Sequence, residues 1–238
     1  MDQRLRSDPF LAGFLGRPAY TLAVDGLDAD ALSQAVERLI AEGAFAQART
    51  GAQDPALAAM LQQAGFRLAD TNLILERPRG GIPEGGPDFL YRGARPEDER
   101  AVRQVAETGF RYSRLHLDPR IPREAADAFK GAWAGNFFAG KRGQAMIVAE
   151  DQGQVRGFLQ LLRKGDLLVI DLVAVAEACR GRGAASGMIG HADSSLDGFS
   201  LWRTGTQAAN IPSLRLYESL GFRMADAGYV FHFHGDKA

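Results

Sequence analysis

The chain of 238 residues holds one cysteine, Cys179. A single thiol excludes an internal disulfide framework and leaves no cysteine spacing for a zinc site. An excess of either charge is also lacking: 28 Lys and Arg stand against 29 Asp and Glu, a formal net charge of −1. No broad field therefore favours nucleic acid or an anionic membrane surface. Long apolar runs are missing as well. None approaches the roughly 20 residues of a membrane span, and the opening MDQRLRSDPF has no apolar stretch of signal-peptide length. These absences lead us to expect a cytoplasmic protein with no membrane and no nucleic-acid partner. What remains, 46% hydrophobic and 24% charged residues, is ordinary for a folded domain.

The stretch PRGGIPEGGP, Pro78 to Pro87, is seven-tenths glycine and proline. It cannot continue a helix or a central strand and reads as a linker. The expected division is an N-terminal subdomain over 1–77, the linker over 78–87 and a larger domain over 88–238. On both sides short β-branched or aromatic runs alternate with helical periodicities. Leu32, Val36, Leu39 and Ile40 share one helix face, and Phe129, Trp133 and Phe137 recur at every fourth position. The class is α/β.

Two segments echo each other. RTGAQDPALAAMLQQAGFRLAD runs from Arg49 to Asp70, and RTGTQAANIPSLRLYESLGFRMAD from Arg203 to Asp226. Each reads as strand, helix and returning strand, and Tyr217 of the second faces Leu61 of the first. The first half is expected to be a partial duplicate that serves as scaffold.

Only the second copy is preceded by a glycine-rich turn, RGRGAAS, between the strand DLLVIDLVAV and a helix. Glycine permits backbone geometries that a Cβ forbids and lets a ligand approach the main chain. Successive N–H groups at a helix start form an anion nest to which the helix dipole adds, and pyrophosphate suits it. Arg180 and Arg182 can add side-chain charge. Taken alone, the turn is equally readable as a solvated basic loop.

Arg180-x-x-Gly183-x-Ala185 after DLVAV, followed by Asn210, Tyr217 and Gly-Phe at 221–222, resembles the GNAT superfamily of acetyl-CoA-dependent N-acetyltransferases. The likeness covers roughly 88–234. It implies a mixed, mostly antiparallel sheet flanked by helices, with strand Leu172–Val175 splayed from strand Leu201–Thr204. It also implies acetyl-CoA as cosubstrate. Leu172, Val173 and Val175 would hold the pantetheine as an added strand. Arg180, Gly181, Arg182, Gly183, Ala184, Ala185 and Ser186 would hold the pyrophosphate, and Asn210 would fix the cofactor from the facing helix. Tyr217 would point at the acetyl sulfur. A backbone N–H can stabilise the oxyanion formed when an amine attacks the thioester. A tyrosine hydroxyl, protonated at neutral pH, can serve the departing thiolate as general acid. Without the turn, Tyr217 would read as a core tyrosine.

The base is less defined. Asp171, Glu150, His116 and Asp118 qualify by type. Asp171 interrupts an apolar strand, where an unpaired carboxylate is costly, so it either lines the acceptor cleft or is paired with an arginine or a backbone donor. For the acceptor, the segment GFRYSRLHLDPRIP, Gly109 to Pro122, and the following Trp133 and Asn136 are similar to the dTDP-fucosamine acetyltransferases, which acetylate dTDP-linked amino sugars and also carry an N-terminal partial repeat. Leu115 stands where those enzymes have an aromatic. Arg114, His116, Asp118, Trp133, Asn136 and Asp171 are the expected substrate residues: arginines for phosphates, aromatics for a base, His, Asp and Asn for hydroxyls. Two further readings stand beside this one: a GNAT enzyme for another amine, amino acid or protein N-terminus, and a non-catalytic CoA-binding module. No metal is expected, since His232 and His234 offer only two ligands on one strand face. The sequence leaves a homodimer open.

Overall fold

A computed structural model of the protein describes residues 4–85 and 88–235. The linker reading of 78–87 therefore falls partly outside the described residues, at 86 and 87.

The elements in chain order are β1 (Leu5–Ser7), α1 (Pro9–Leu15), β2 (Ala19–Leu22), α2 (Ala29–Ala41), β3 (Phe45–Gly51), α3 (Pro55–Gln63), β4 (Arg67–Pro78), β5 (Leu90–Gly93), α4 (Glu99–Gly109), α5 (Arg123–Gly135), β6 (Ala145–Asp151), β7 (Gln154–Lys164), β8 (Leu167–Val175), α6 (Ala184–Ser195), β9 (Leu201–Gln207), α7 (Ile211–Ser219) and β10 (Arg223–His234). Helix boundaries follow local chemistry. Asp8, Asp28, Asp54 and Asn210 each accept a backbone N–H three residues on, at the starts of α1, α2, α3 and α7. A proline sits in the first turn of α1, α3 and α7. The hydrophobic periodicity of residues 1–18 is too short to announce β1 and α1, although Asp8-Pro9 is the start signal that α1 uses.

The ten strands of the described residues form one sheet, in the order β1-β2-β3-β10-β4-β9-β8-β7-β6-β5. Every neighbouring pair is antiparallel except β2–β3 and β8–β9. The two halves interlock. The last strand of the first half, β4, lies between β9 and β10, and β10 lies between β3 and β4. Each repeated strand–helix–strand unit is thus opened to receive the final strand of the other. Strand alternation sends side chains to two faces. On the back face α2 and α3 pack with Phe231 and Phe233, while α6 and α7 pack with Trp202, Leu75 and Phe222. On the front face α1, α4 and α5 cover Phe45, Phe158 and Val148.

The segment leading out of β4 is tied down. The buried carboxylate of Asp193 on α6 accepts the N–H groups of Gly80 and Ile82 and the indole N–H of Trp202, at 3.1, 3.3 and 2.9 Å. Gly190 permits this close approach, because a Cβ there would lie 2.1 Å from the Pro83 carbonyl oxygen. No helix among the described residues is long and apolar enough to cross a membrane.

Candidate active site

β8 and β9 pair in parallel from Leu167↔Leu201 to Ile170↔Thr204 and then part. Beyond that point β8 pairs only with β7, and the rest of β9, Gly205 to Gln207, pairs with β4. Leu201–Thr204, the β9 stretch expected to splay from Leu172–Val175, is therefore the paired stretch, and the gap opens beyond it, between Leu172–Val175 and Gly205–Gln207. A cleft of about 670 Å³ fills the gap. One end is lined by Arg180, Gly181, Gly183, Ala184, Ala185 and Ser186, the walls by Leu172, Val173, Val175 and Asn210, and Tyr217 lies in between.

The turn at the first end is built for an anion. Gly181 and Gly183 have φ of +75° and +83°, a region that side chains with a Cβ avoid. No side chain caps the start of α6, so its first N–H groups are offered toward the cleft. A Cβ on Gly181 would point into open space, with no protein atom within 4 Å. Arg180 also lines the cleft and bridges the carbonyls of Val175 and Gly109, each at 3.2 Å. Arg182 does not line it. Its guanidinium turns to Asp151 at 3.0 Å and lies over the Phe89 ring.

Tyr217 is 2% exposed and packs against Phe222. Its counterpart Leu61 is fully buried against the α2–α3 core. Burial raises the Tyr217 phenol above its ordinary value, with hydrogen bonding to Thr204 working against it. The hydroxyl thus stays protonated at neutral pH, the state a proton donor needs. Asn210 combines two tasks: its carbonyl oxygen caps α7, and its amide donates to Thr206 at 3.2 Å.

The far end of the cleft is bounded by Lys130 and Asp171, while Gly109–Ser113 lines the cleft from the Gly109 carbonyl beside Arg180 to Phe110 beside Lys130. Asp171 owes its direction to a β-bulge. Gln160 pairs with Leu172 and Leu161 with Ile170, so Asp171 is the extra residue between them and is re-aimed to the front. Its carboxylate accepts two bonds from Arg142 (2.7 and 2.6 Å), one from Trp133 Nε1 (3.1 Å) and one from Gln160 Nε2 (2.9 Å). Of the two sequence readings for this aspartate, lining the cleft and pairing with an arginine, both describe it.

The other expected substrate residues do not line the cleft. Arg114 donates from Nε to Gln47 Oε1 at 2.7 Å. Burial, then repulsion from Arg49, pulls its guanidinium down to about 10, so it remains charged at neutral pH. His116 bridges Ser113 Oγ (2.6 Å) and Asp127 Oδ1 (2.9 Å). Asp118 accepts from His232 Nδ1 (2.6 Å), His234 Nε2 (2.8 Å) and the Arg120 N–H (2.9 Å). Trp133 reaches the cleft only through Asp171, and Asn136 sits at the end of α5. The physical cause is Leu115. At 1% exposure it is a core residue, packed with Ile121 and Phe129, and it draws the chain inward after Ser113. Glu150, another candidate base, pairs with Arg92 at 2.8 Å. The ligand-type atoms of Asp118, His232 and His234 lie within 4.8 Å of one another, but one carboxylate oxygen already accepts from both imidazoles, so hydrogen bonding explains the cluster.

Two groups escaped the sequence reading. Lys130 projects from α5 into the cleft, 4.6 Å from the Phe110 ring centroid and 6.0 Å from that of Trp133. Its signal was a lysine between Phe129 and Trp133 on an otherwise apolar helix face. Asp70, at 6% exposure, hydrogen-bonds the side chain of Gln207, which lines the cleft. Burial raises its carboxyl to about 6, against the pull of Gln207, Arg49 and Arg114. Both partners, Asp70 and Gln207, are residues of the repeat, one from each copy.

With this geometry in place, the comparisons with known proteins become informative. Residues 142–224 match a family model described as Acetyltransferase (GNAT) domain. The spore coat polysaccharide biosynthesis protein SpsD of Bacillus subtilis is 29% identical over 198 residues, 82% of this chain and 68% of that protein. A dTDP-fucosamine acetyltransferase of Escherichia coli O6:H1 is 27% identical over 184 residues, 77% of this chain and 79% of that protein. A solved tandem GNAT protein from the clavulanic acid biosynthesis pathway superposes with a TM-score of 0.63 over 94% of this chain and 77% of its own, at 13% identity. That last likeness speaks to fold alone.

Proposed function

Since the chain carries an acetyltransferase domain of the GNAT family, whose acyl donor is acetyl-CoA, we propose that it transfers the acetyl group to the amine of a nucleotide-linked amino sugar. The observation that supports this most is the contrast between the two ends of one cleft. The glycine turn at one end suits a pyrophosphate. At the other, Lys130 lines the cleft, Arg114 and Arg142 act on its charge from behind the lining, and Asp171 is already engaged by Arg142. Such an end repels a polycation or a bare protein N-terminus and favours an acceptor that brings its own negative charge, as a sugar nucleotide does. The two relatives act in the same direction by name, one on a spore coat polysaccharide route and one on dTDP-fucosamine.

In the proposed reaction, acetyl-CoA lies with its pyrophosphate on Arg180–Ser186 and its arm along Leu172–Val175, so that the thioester reaches the point where β8 and β9 part. The acceptor amine attacks there. Tyr217 gives its proton to the departing sulfur, and a β8 N–H faces the oxyanion. Residues 1–77 act as a scaffold that holds no cofactor: α3 lacks a glycine turn before it, and Leu61 takes the place of the tyrosine. Residues 88–238 form the catalytic unit, with β4 lent to it. A thiol-release assay with acetyl-CoA and a panel of dTDP-amino sugars, free amino sugars, polyamines and peptides tests the assignment. Turnover is expected with the sugar nucleotides first. Preference for an uncharged or cationic amine would replace this acceptor class, and silence across the panel with cofactor bound would favour a non-catalytic CoA module.

A further inference from the structure

Lys130 is the one lysine among the described residues that lines the cleft; Lys141 and Lys164 are exposed outside it. Its position along the cleft can be read from its neighbours. The proposed pyrophosphate end follows Val175, so a cofactor arm laid back along β8 arrives at Asp171 and Leu172. Trp133, whose indole N–H is bonded to Asp171, lies beside the Lys130 ammonium, and Phe110, another lining residue, sits below it. Among the described residues Lys130 has no carboxylate partner of its own within ion-pair distance. Asp171, the nearest influence of opposite sign, is held by Arg142, Trp133 and Gln160. Burial, then repulsion from Arg114, outweighs the attraction of Asp171 and draws the Lys130 amine down to about 8. At pH 7 about one such amine in ten is neutral, against about three in ten thousand for an ordinary lysine.

Resting on the function proposed above, we infer that Lys130 is a self-acetylation site: with no acceptor present, its side-chain amine takes the acetyl group from the bound thioester. The Nζ lone pair attacks the carbonyl carbon, and a C–N bond forms as the C–S bond breaks. Tyr217 gives the thiolate its proton, and the proton shed by the amine nitrogen returns to Tyr217 through solvent, leaving an amide and free CoA thiol. No further reagent is required. The groups that serve an acceptor amine serve Lys130 equally, because they act on the thioester and not on the amine's identity. The product loses its charge and fills the acceptor end, so an acceptor should protect Lys130, and the modified chain should turn over slowly.

The test is peptide mapping by tandem mass spectrometry of the full chain incubated with acetyl-CoA alone. Lys141 and Lys164 report unassisted acetylation, which follows exposure. Acetylation of Lys130 should run at least about tenfold faster than theirs, a floor well under the about 300-fold difference in neutral fraction. It should slow in Tyr217→Phe, while the two surface lysines react as before. Turnover on a preferred acceptor should fall in step with the fraction of Lys130 modified. Equal or faster labelling of Lys141 and Lys164, or an unmodified Lys130 in a chain that acetylates an external amine, would overturn the inference while leaving the proposed function standing. A chain that fails to bind acetyl-CoA by calorimetry would remove both.

Discussion

Replacing Asp70 by asparagine should stabilise this protein at pH 8 and do almost nothing at pH 4. Asp70 is buried on the front of the sheet, and its carboxyl is raised from 3.8 to about 6. The raised value means that the folded state resists ionising this group, chiefly because burial strips the carboxylate of water. Each pKa unit corresponds to about 1.4 kcal/mol, so a shift of about two units amounts to about 3 kcal/mol. The sign follows from linkage. Below the unfolded pKa near 4 the group is protonated in both states and the shift has no effect. As pH rises through about 6 the folded state must give up its proton, and the stability conferred by retaining it is lost. Asparagine stays neutral throughout and keeps an acceptor for Gln207. The difference between variant and native chain should therefore grow from near zero at pH 4 to about 3 kcal/mol above pH 7. In a chain of this size that raises Tm by roughly 6–12 °C. Urea unfolding and differential scanning calorimetry across pH 4–8 measure it. A variant less stable at pH 8 would show that Arg49 and Arg114 depend on the Asp70 charge more than burial opposes it, and one whose gain is the same at pH 4 would show that the gain does not come from ionisation.

Tyr217→Phe keeps the ring against Phe222 and deletes one proton donor; kcat should fall by about 10²–10⁴-fold with acetyl-CoA affinity within a few-fold, whereas a change confined to Tm would make Tyr217 a core residue only. Gly183→Val forces a β-branched residue to φ +83° at the proposed phosphate turn, and calorimetry should show acetyl-CoA affinity severely reduced in a chain whose far-UV spectrum is unchanged. Acid should unfold the protein through the Asp118 cluster. Burial alone would raise that carboxyl, but bonds from His232, His234 and the Arg120 N–H hold it well below the usual range, so its contribution is present above pH 4 and lost as pH falls further. His116 and His232 are lowered by burial, and their loss begins earlier, below about pH 6.5. Tm measured from pH 7 to 3 should fall less steeply in Asp118→Asn than in the native chain below pH 4, while starting from a lower value.

What could be read from the chain was what local chemistry governs. A glycine pair in RGRG permits the positive φ that both residues adopt, which a residue with a Cβ would resist. Asn210 and Pro212 start a helix by their own hydrogen bond and ring, and Tyr217 follows two turns later on a face that must be buried. The repeat, with Asp54 capping α3 as Asn210 caps α7, declared two like units. Which strands those units shared was decided only by the tertiary structure. β4 and β10 carry the same pattern and could each have closed their own unit; the burial of both faces of one continuous sheet selects the exchange instead. That exchange brings Asp70 of one copy to Gln207 of the other, a contact between positions far apart in sequence that no local signal encodes. The bulge at Asp171, the inward turn forced by Leu115 and the emergence of Lys130 between two aromatic rings have the same origin. Each depends on which neighbour competes for the same space, and a sequence states the competitors without stating who meets whom.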